Sequence, residues 1–90
     1  MNGVEKHIKH GSMDNETTIK AERKRIGERI TQLRKEEGLT QADLAERTGI
    51  TQANISRIEK GYYSIRLDIL TRIAKALNCE IHLLSRKHLK

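Results

Sequence analysis

Apolar residues recur along this chain at helical spacing for most of its length and at strand spacing near its end. Ile26, Ile30 and Leu33 fall at i, i+4 and i+7, one face of an amphipathic helix. That face predicts a first helix from about Ile19 or Ala21 to Glu37, stopped by Gly38. Leu67, Leu70, Ile73, Ala74 and Leu77 make a second such face, over about 67–77, with Asn78 able to end it in the left-handed conformation. After Asn78 the period becomes two: Cys79, Ile81 and Leu83 alternate with Glu80, His82 and Leu84, the pattern of a strand. One short strand needs a partner, and the economical partner is its own copy across a two-fold axis. The alternative is a fifth helix in which Ile81, Leu83 and Leu84 form the dimer contact.

Between these faces lie two helix starts of one design, eleven positions apart. Thr40 and Thr51 are each followed by Gln-Ala, and each hydroxyl can accept a backbone N–H of the first turn. Leu39 and Leu44, and likewise Ile50 and Ile55, stand at the spacing of a hydrophobic staple. Asp43, three residues after Thr40, completes a capping box. The predicted helices cover about 41–48 and 52–60, with Thr48-Gly49-Ile50 turning the chain between them and Gly61 stopping the second. Helices joined this tightly cross steeply, as in a helix-turn-helix. In that arrangement the second helix enters the DNA major groove. Its first residues are polar here, and Ile55 and Ile58 face inward.

The run Leu39-Thr40-Gln41, Leu44-Ala45, Gly49-Ile50, Ile55-Ser56, Ile58-Glu59 and Gly61 resembles the phage-repressor/Cro-like (Xre) helix-turn-helix family, over about Ile26 to Leu77. The resemblance implies an all-α, repressor-like domain of four or five helices that binds operator DNA, usually as a dimer. It also implies a Gln52 that reads sequence, and the family usually carries Glu at position 59; because a carboxylate repels phosphate, Glu59 is expected to stay off the DNA, paired with a basic residue such as Arg47 or accepting backbone N–H bonds.

Side-chain chemistry sorts the remaining candidates. Thr51, Gln52, Ala53, Ser56 and Arg57 are the expected base contacts: Gln52 can bond adenine N6 and N7, Arg57 guanine O6 and N7, and Ala53 a thymine methyl. Arg25, Gln41, Asn54, Lys60, Tyr62, Tyr63 and Arg66 are the expected phosphate contacts, which position a domain without specifying a site. Arg23, Lys24, Arg25 and Arg29 crowd the expected start of the first helix, where cations oppose its dipole. Either tyrosine ring has an equal claim to cover the core.

Composition narrows the class. Ninety residues allow one small domain, and a core without Phe, Trp or Pro must be Ile, Leu and Ala. A net charge of +6 favours a polyanionic partner. The single Cys79 makes no internal disulfide, which fits a reducing, cytoplasmic or nucleoid-associated setting. No segment has the length of a membrane span and no signal peptide is visible. The expected divisions are a poorly ordered tail over 1–22, the DNA-binding domain over 23–78, a dimerisation strand over 79–85 holding Cys79, Ile81, Leu83 and Leu84, and a basic tail over 86–90. Gly3 and Gly11-Ser12 are expected to break helix in the tail, and Met13 has the context of a native start behind a leader. His7, Lys9 and His10 lack two further metal ligands, and Cys79 reads as a small buried residue. No catalytic constellation or cofactor motif is present, so the chain reads as a binding protein. Two functions share its DNA-binding face: a dimeric repressor of an inverted-repeat operator, and, by resemblance to HipB-type antitoxins, a toxin-binding autoregulator.

Overall fold

The computed structural model describes the backbone of residues 2–88 and the side chains of residues 16–87. Four α-helices follow in order: α1 (Asn2–Glu36), α2 (Gln41–Thr48), α3 (Gln52–Glu59) and α4 (Leu67–Ala76), then one 3-10 turn at Arg86–His88. The expected all-α class holds. His7, Lys9, His10 and Met13 fall outside the residues whose side chains are described.

The first helix starts far earlier than Ile19. A lone glycine costs a helix only about 1 kcal/mol and, unlike proline, blocks no hydrogen bond, and this chain has no proline. Consequently Arg23, Lys24, Arg25 and Arg29 stand in mid-helix, away from the positive end of the helix dipole.

α2, α3 and their turn follow the local signals closely. Asp43 N–H donates to Thr40 Oγ1 at 3.0 Å, and Thr40 N–H donates to Asp43 Oδ2 at 2.9 Å. This is a reciprocal capping box, closed by Asp in place of the usual Glu. Asn54 N–H donates to Thr51 Oγ1 at 3.2 Å. Gly49 takes φ 76° and its N–H reaches Ala45 O at 2.9 Å, while Ile50 N–H donates to Thr48 Oγ1 at 3.2 Å. The Gly49 and Ile50 N–H groups of the tight turn therefore each have an acceptor, which holds α3 against the end of α2.

Leu39, Leu44, Ile50 and Ile55, the two staple pairs, meet Ile30, Ile58, Ile73 and Leu77 in a single buried cluster. Leu44, Ile55, Ile58 and Ile73 are fully enclosed, and burying each stabilises the fold by about 1.5–3 kcal/mol. Helix α3 packs on both α1 and α2, and α2 also packs on α4. The α1–α3 approach is unusually close. A Cβ at Gly27 would lie 2.5 Å from Glu59 O and 2.6 Å from Ile58 O. A Cβ at Gly61, where φ is 74°, would lie 2.8 Å from Lys24 Cα. Only glycine lets the end of α3 rest on the α1 backbone.

Residues 79–85 take neither of the expected forms in the single chain: no strand ladder and no fifth α-helix form there. A strand requires a neighbour to accept its hydrogen bonds, and the described chain supplies none. Cys79 packs against the core, whereas Leu83 is 99% and Leu84 68% exposed. No helix among the described residues is long and apolar enough to cross a membrane.

Candidate nucleic-acid interface

The site begins with the way α3 is held. Arg34 of α1 grips the last residue of α3: its Nε donates to Glu59 Oε2 at 2.6 Å and its Nη2 to Glu59 Oε1 at 3.1 Å. The remaining nitrogen, Nη1, donates to Leu39 O at 2.8 Å. Gln41 Nε2 adds a third hydrogen bond to Glu59 Oε1 at 2.9 Å. Both side chains of the ion pair are buried. Burial pushes the Glu59 carboxyl up, but the hydrogen bonds from Arg34 and Gln41 and the Arg34 charge outweigh it and hold the group below its ordinary value. The partner of Glu59 is thus Arg34, not Arg47. Residue 34 lies on the inner face of α1, four positions after Ile30, whereas Arg47 is exposed.

With Ile55, Ile58 and Glu59 turned inward, successive rotations of about 100° per residue place the others. Ala53, Arg57 and Lys60 point outward, Ser56 and Gln52 flank them on one side, and Asn54 flanks them on the other. Gln52, Ala53, Arg57 and Lys60 are exposed, and Ser56 and Asn54 are half-buried. No acidic side chain lies on this outer face. The cap at Thr51 takes up the Asn54 N–H, so the first N–H groups of α3 still point out of the helix end.

The structure brings most of the expected phosphate contacts to the rim of this face. Gln41 opens α2, but its side-chain amide is committed to Glu59, leaving the backbone N–H at the helix start as the group able to meet an anion. Lys60 Nζ stands 5.7 Å over the Tyr62 ring, and Tyr62 is 65% exposed. Tyr63 instead packs against the core. The two tyrosines therefore divide the roles that sequence left open. Arg66 is exposed and bonded to Asp68 at 2.9 Å. Asn54, Tyr63, Ser64 and Arg66 border one shallow groove beside α3.

Arg25 is not brought to this face. Its guanidinium pairs with Glu22 at 2.6 Å, and the two border a cleft with His82, Leu83, Leu84 and Arg86 instead. On α1 it stands about 160° from Gly27, which touches α3, at 100° per residue. Gly27 and Arg34 are the site-building residues that sequence reasoning missed. The available signal was their register: both continue the buried face of Ile26, Ile30 and Leu33.

Comparison with known proteins agrees with this architecture. A sequence profile of the helix-turn-helix family matches residues 30–84. An uncharacterized HTH-type transcriptional regulator from Methanothermobacter thermautotrophicus is 53% identical over 51 residues, 57% of this chain and 74% of that protein. The HTH-type transcriptional regulator SinR of Bacillus subtilis is 35% identical over 65 residues, 70% of this chain and 59% of SinR. The immunity repressor protein of Bacillus phage phi105 is 36% identical over 56 residues, 62% of this chain and 39% of the repressor. The match thus spans about three quarters of the first relative but less than two thirds of the two longer ones. Taken with the capped α2–turn–α3 unit and its polar outer face, the chain belongs to the phage-repressor/Cro-like helix-turn-helix family.

Proposed function

We propose that the chain is a DNA-binding transcriptional regulator that works as a dimeric repressor, with α3 in the major groove of an inverted-repeat operator. The observation that carries this reading is the division of α3 into two faces. Ile55, Ile58 and Glu59 hold it to the domain, while Gln52, Ala53, Ser56 and Arg57 present donors, acceptors and a methyl to the outside. Thr51 caps the helix, which supports a start of α3 ordered enough to meet base edges. Gln41 through its backbone N–H, and Asn54, Lys60, Tyr62 and Arg66 around the rim, position the domain on phosphates, with Tyr63 backing them from the core. A regulator of this kind acts on DNA in the cytoplasm and binds its target without performing chemistry on it.

Dimerisation is read from the C-terminal segment. Ile81, Leu83 and Leu84 are exposed together, and a second copy covering them supplies the partner that a strand over 79–85 needs. A two-fold pair sets its α3 helices about 34 Å apart, one helical turn of duplex. The same exposed leucines support a second reading, an antitoxin whose C-terminal segment docks on a toxin protein. Selection of duplexes from a random pool at moderate salt tests the first reading. An enriched inverted repeat supports the dimeric repressor; recovery of no motif, with only weak salt-sensitive binding, sinks it in favour of a partner-dependent antitoxin.

A further inference from the structure

Arg25, Arg34 and Arg66 each rest on a carboxylate. Arg57 differs. Its Nη1 donates to the side-chain oxygen of Asn54, one turn earlier on α3, at 2.9 Å. Asn54 carries no charge, so this bond orients the guanidinium without neutralising it. It also occupies only one nitrogen. The Nε–Nη2 edge remains free, and that is the edge with which Arg34 takes both oxygens of Glu59. Two acceptors on a guanine, O6 and N7, call for the same fork.

Asn54 is itself well placed to hold something else. Its backbone N–H is fixed on Thr51 Oγ1 at 3.2 Å, and the residue is half-buried beside Tyr63 and Arg66, with its bond to Arg57 on the exposed side. Its amide oxygen faces Arg57, which leaves the amide NH2 as a donor toward the rim. From this geometry we infer that Asn54 is a positioning residue for base readout, aligning Arg57 for a guanine while its NH2 meets a backbone phosphate. An unrestrained arginine loses much rotamer freedom on binding; one already held by its neighbour loses less, and that gain appears only where the guanine is present. The inference rests on the proposal that α3 reads base edges.

The test uses the full chain, a duplex recovered by selection, and a set of duplexes substituted at each base pair in turn, with affinities read by fluorescence anisotropy. Arg57→Ala is expected to lose about tenfold or more of its preference at a single base pair. Asn54→Ala is expected to lose about fivefold at that same pair, beyond any uniform weakening, since it keeps the reader but frees it. Asn54→Asp supplies an acceptor for Arg57 but neutralises it, so preference at that pair is expected to stay below the parent while binding to every duplex weakens through repulsion of phosphate. Circular dichroism melts confirm that each variant is folded. If Asn54→Ala leaves binding unaltered, or weakens all duplexes equally, the positioning role is wrong. An Arg57→Ala chain with every base preference intact would instead overturn the reading of α3 beneath it.

Discussion

Arg34 Nε and Glu59 Oε2 lie 2.6 Å apart, joining the inner face of α1 to the last residue of α3. The two residues are 25 positions apart in the chain, so the bond forms only when both helices are in place. A buried pair of this kind contributes little net stability over an apolar replacement, but losing one partner leaves a buried charge alone. Glu59→Gln and Arg34→Met should each cost about 3–5 kcal/mol in urea unfolding. Converting both to leucine should recover much of that loss. Single variants that unfold at the parental midpoint would show that the pair is dispensable.

The same carboxylate gives a pH dependence. Glu59 has a folded pKa below its ordinary value of 4.5. The ionised form is therefore favoured by folding, and its contribution is complete above about pH 4.5 and is lost as pH falls through the folded value. Stability measured between pH 7 and pH 3 should drop more steeply for the parent than for Glu59→Gln. Parallel curves would rule out Glu59 as a source of the acid sensitivity.

Gly27 sets the spacing between α1 and α3. Alanine is the better helix former by about 1 kcal/mol, yet a methyl there meets the carbonyls of Ile58 and Glu59 inside contact distance. Because those atoms are backbone, Gly27→Ala should destabilise by roughly 1–3 kcal/mol despite its propensity gain. A raised melting temperature would mean that the helices separate without cost.

Contacts with bases and with phosphates should part company in titrations against salt. Gln52→Ala should lose about 1–3 kcal/mol at one base position and keep its non-specific binding. Lys60→Ala should weaken all sequences alike and reduce the salt slope by about one. A Gln52→Ala protein that selects the parental site unchanged would displace the recognition helix from α3.

Leu83 is nearly wholly exposed in the single chain, so Leu83→Asp should leave the thermal melt of the domain unchanged. In sedimentation it should shift a dimer to a monomer and sharply reduce affinity for a full inverted repeat. Retention of the dimer would move the interface elsewhere.

The parts of this fold that sequence exposed are the ones determined within a few residues. The caps at Thr40 and Thr51, the left-handed turn at Gly49 and the inward Ile55 and Ile58 are all local decisions, and the structure has each of them. What sequence left open depends on distant neighbours. Glu59 had several cations within reach on paper, and only the packing of α1 selects Arg34. Arg25 is basic and close to the domain, and its place on α1, paired with Glu22, sets it beside the C-terminal segment. For residues 79–85 the alternating pattern is genuine, but a ladder requires a second set of backbone groups, which one chain does not supply.

The separation of the two faces of α3 bears on how such a protein changes its target. Ala53 and Gln52 are exposed and bear no part of the core, so either can be exchanged at nearly no folding cost. If α3 reads base edges as proposed, the domain can be copied and redirected to a new operator by a few outward substitutions, with its stability passed on intact. Arg57 is the exception: tied to Asn54, it is best rewritten together with its neighbour, and a library that varies the two positions jointly should yield new specificities that single changes miss.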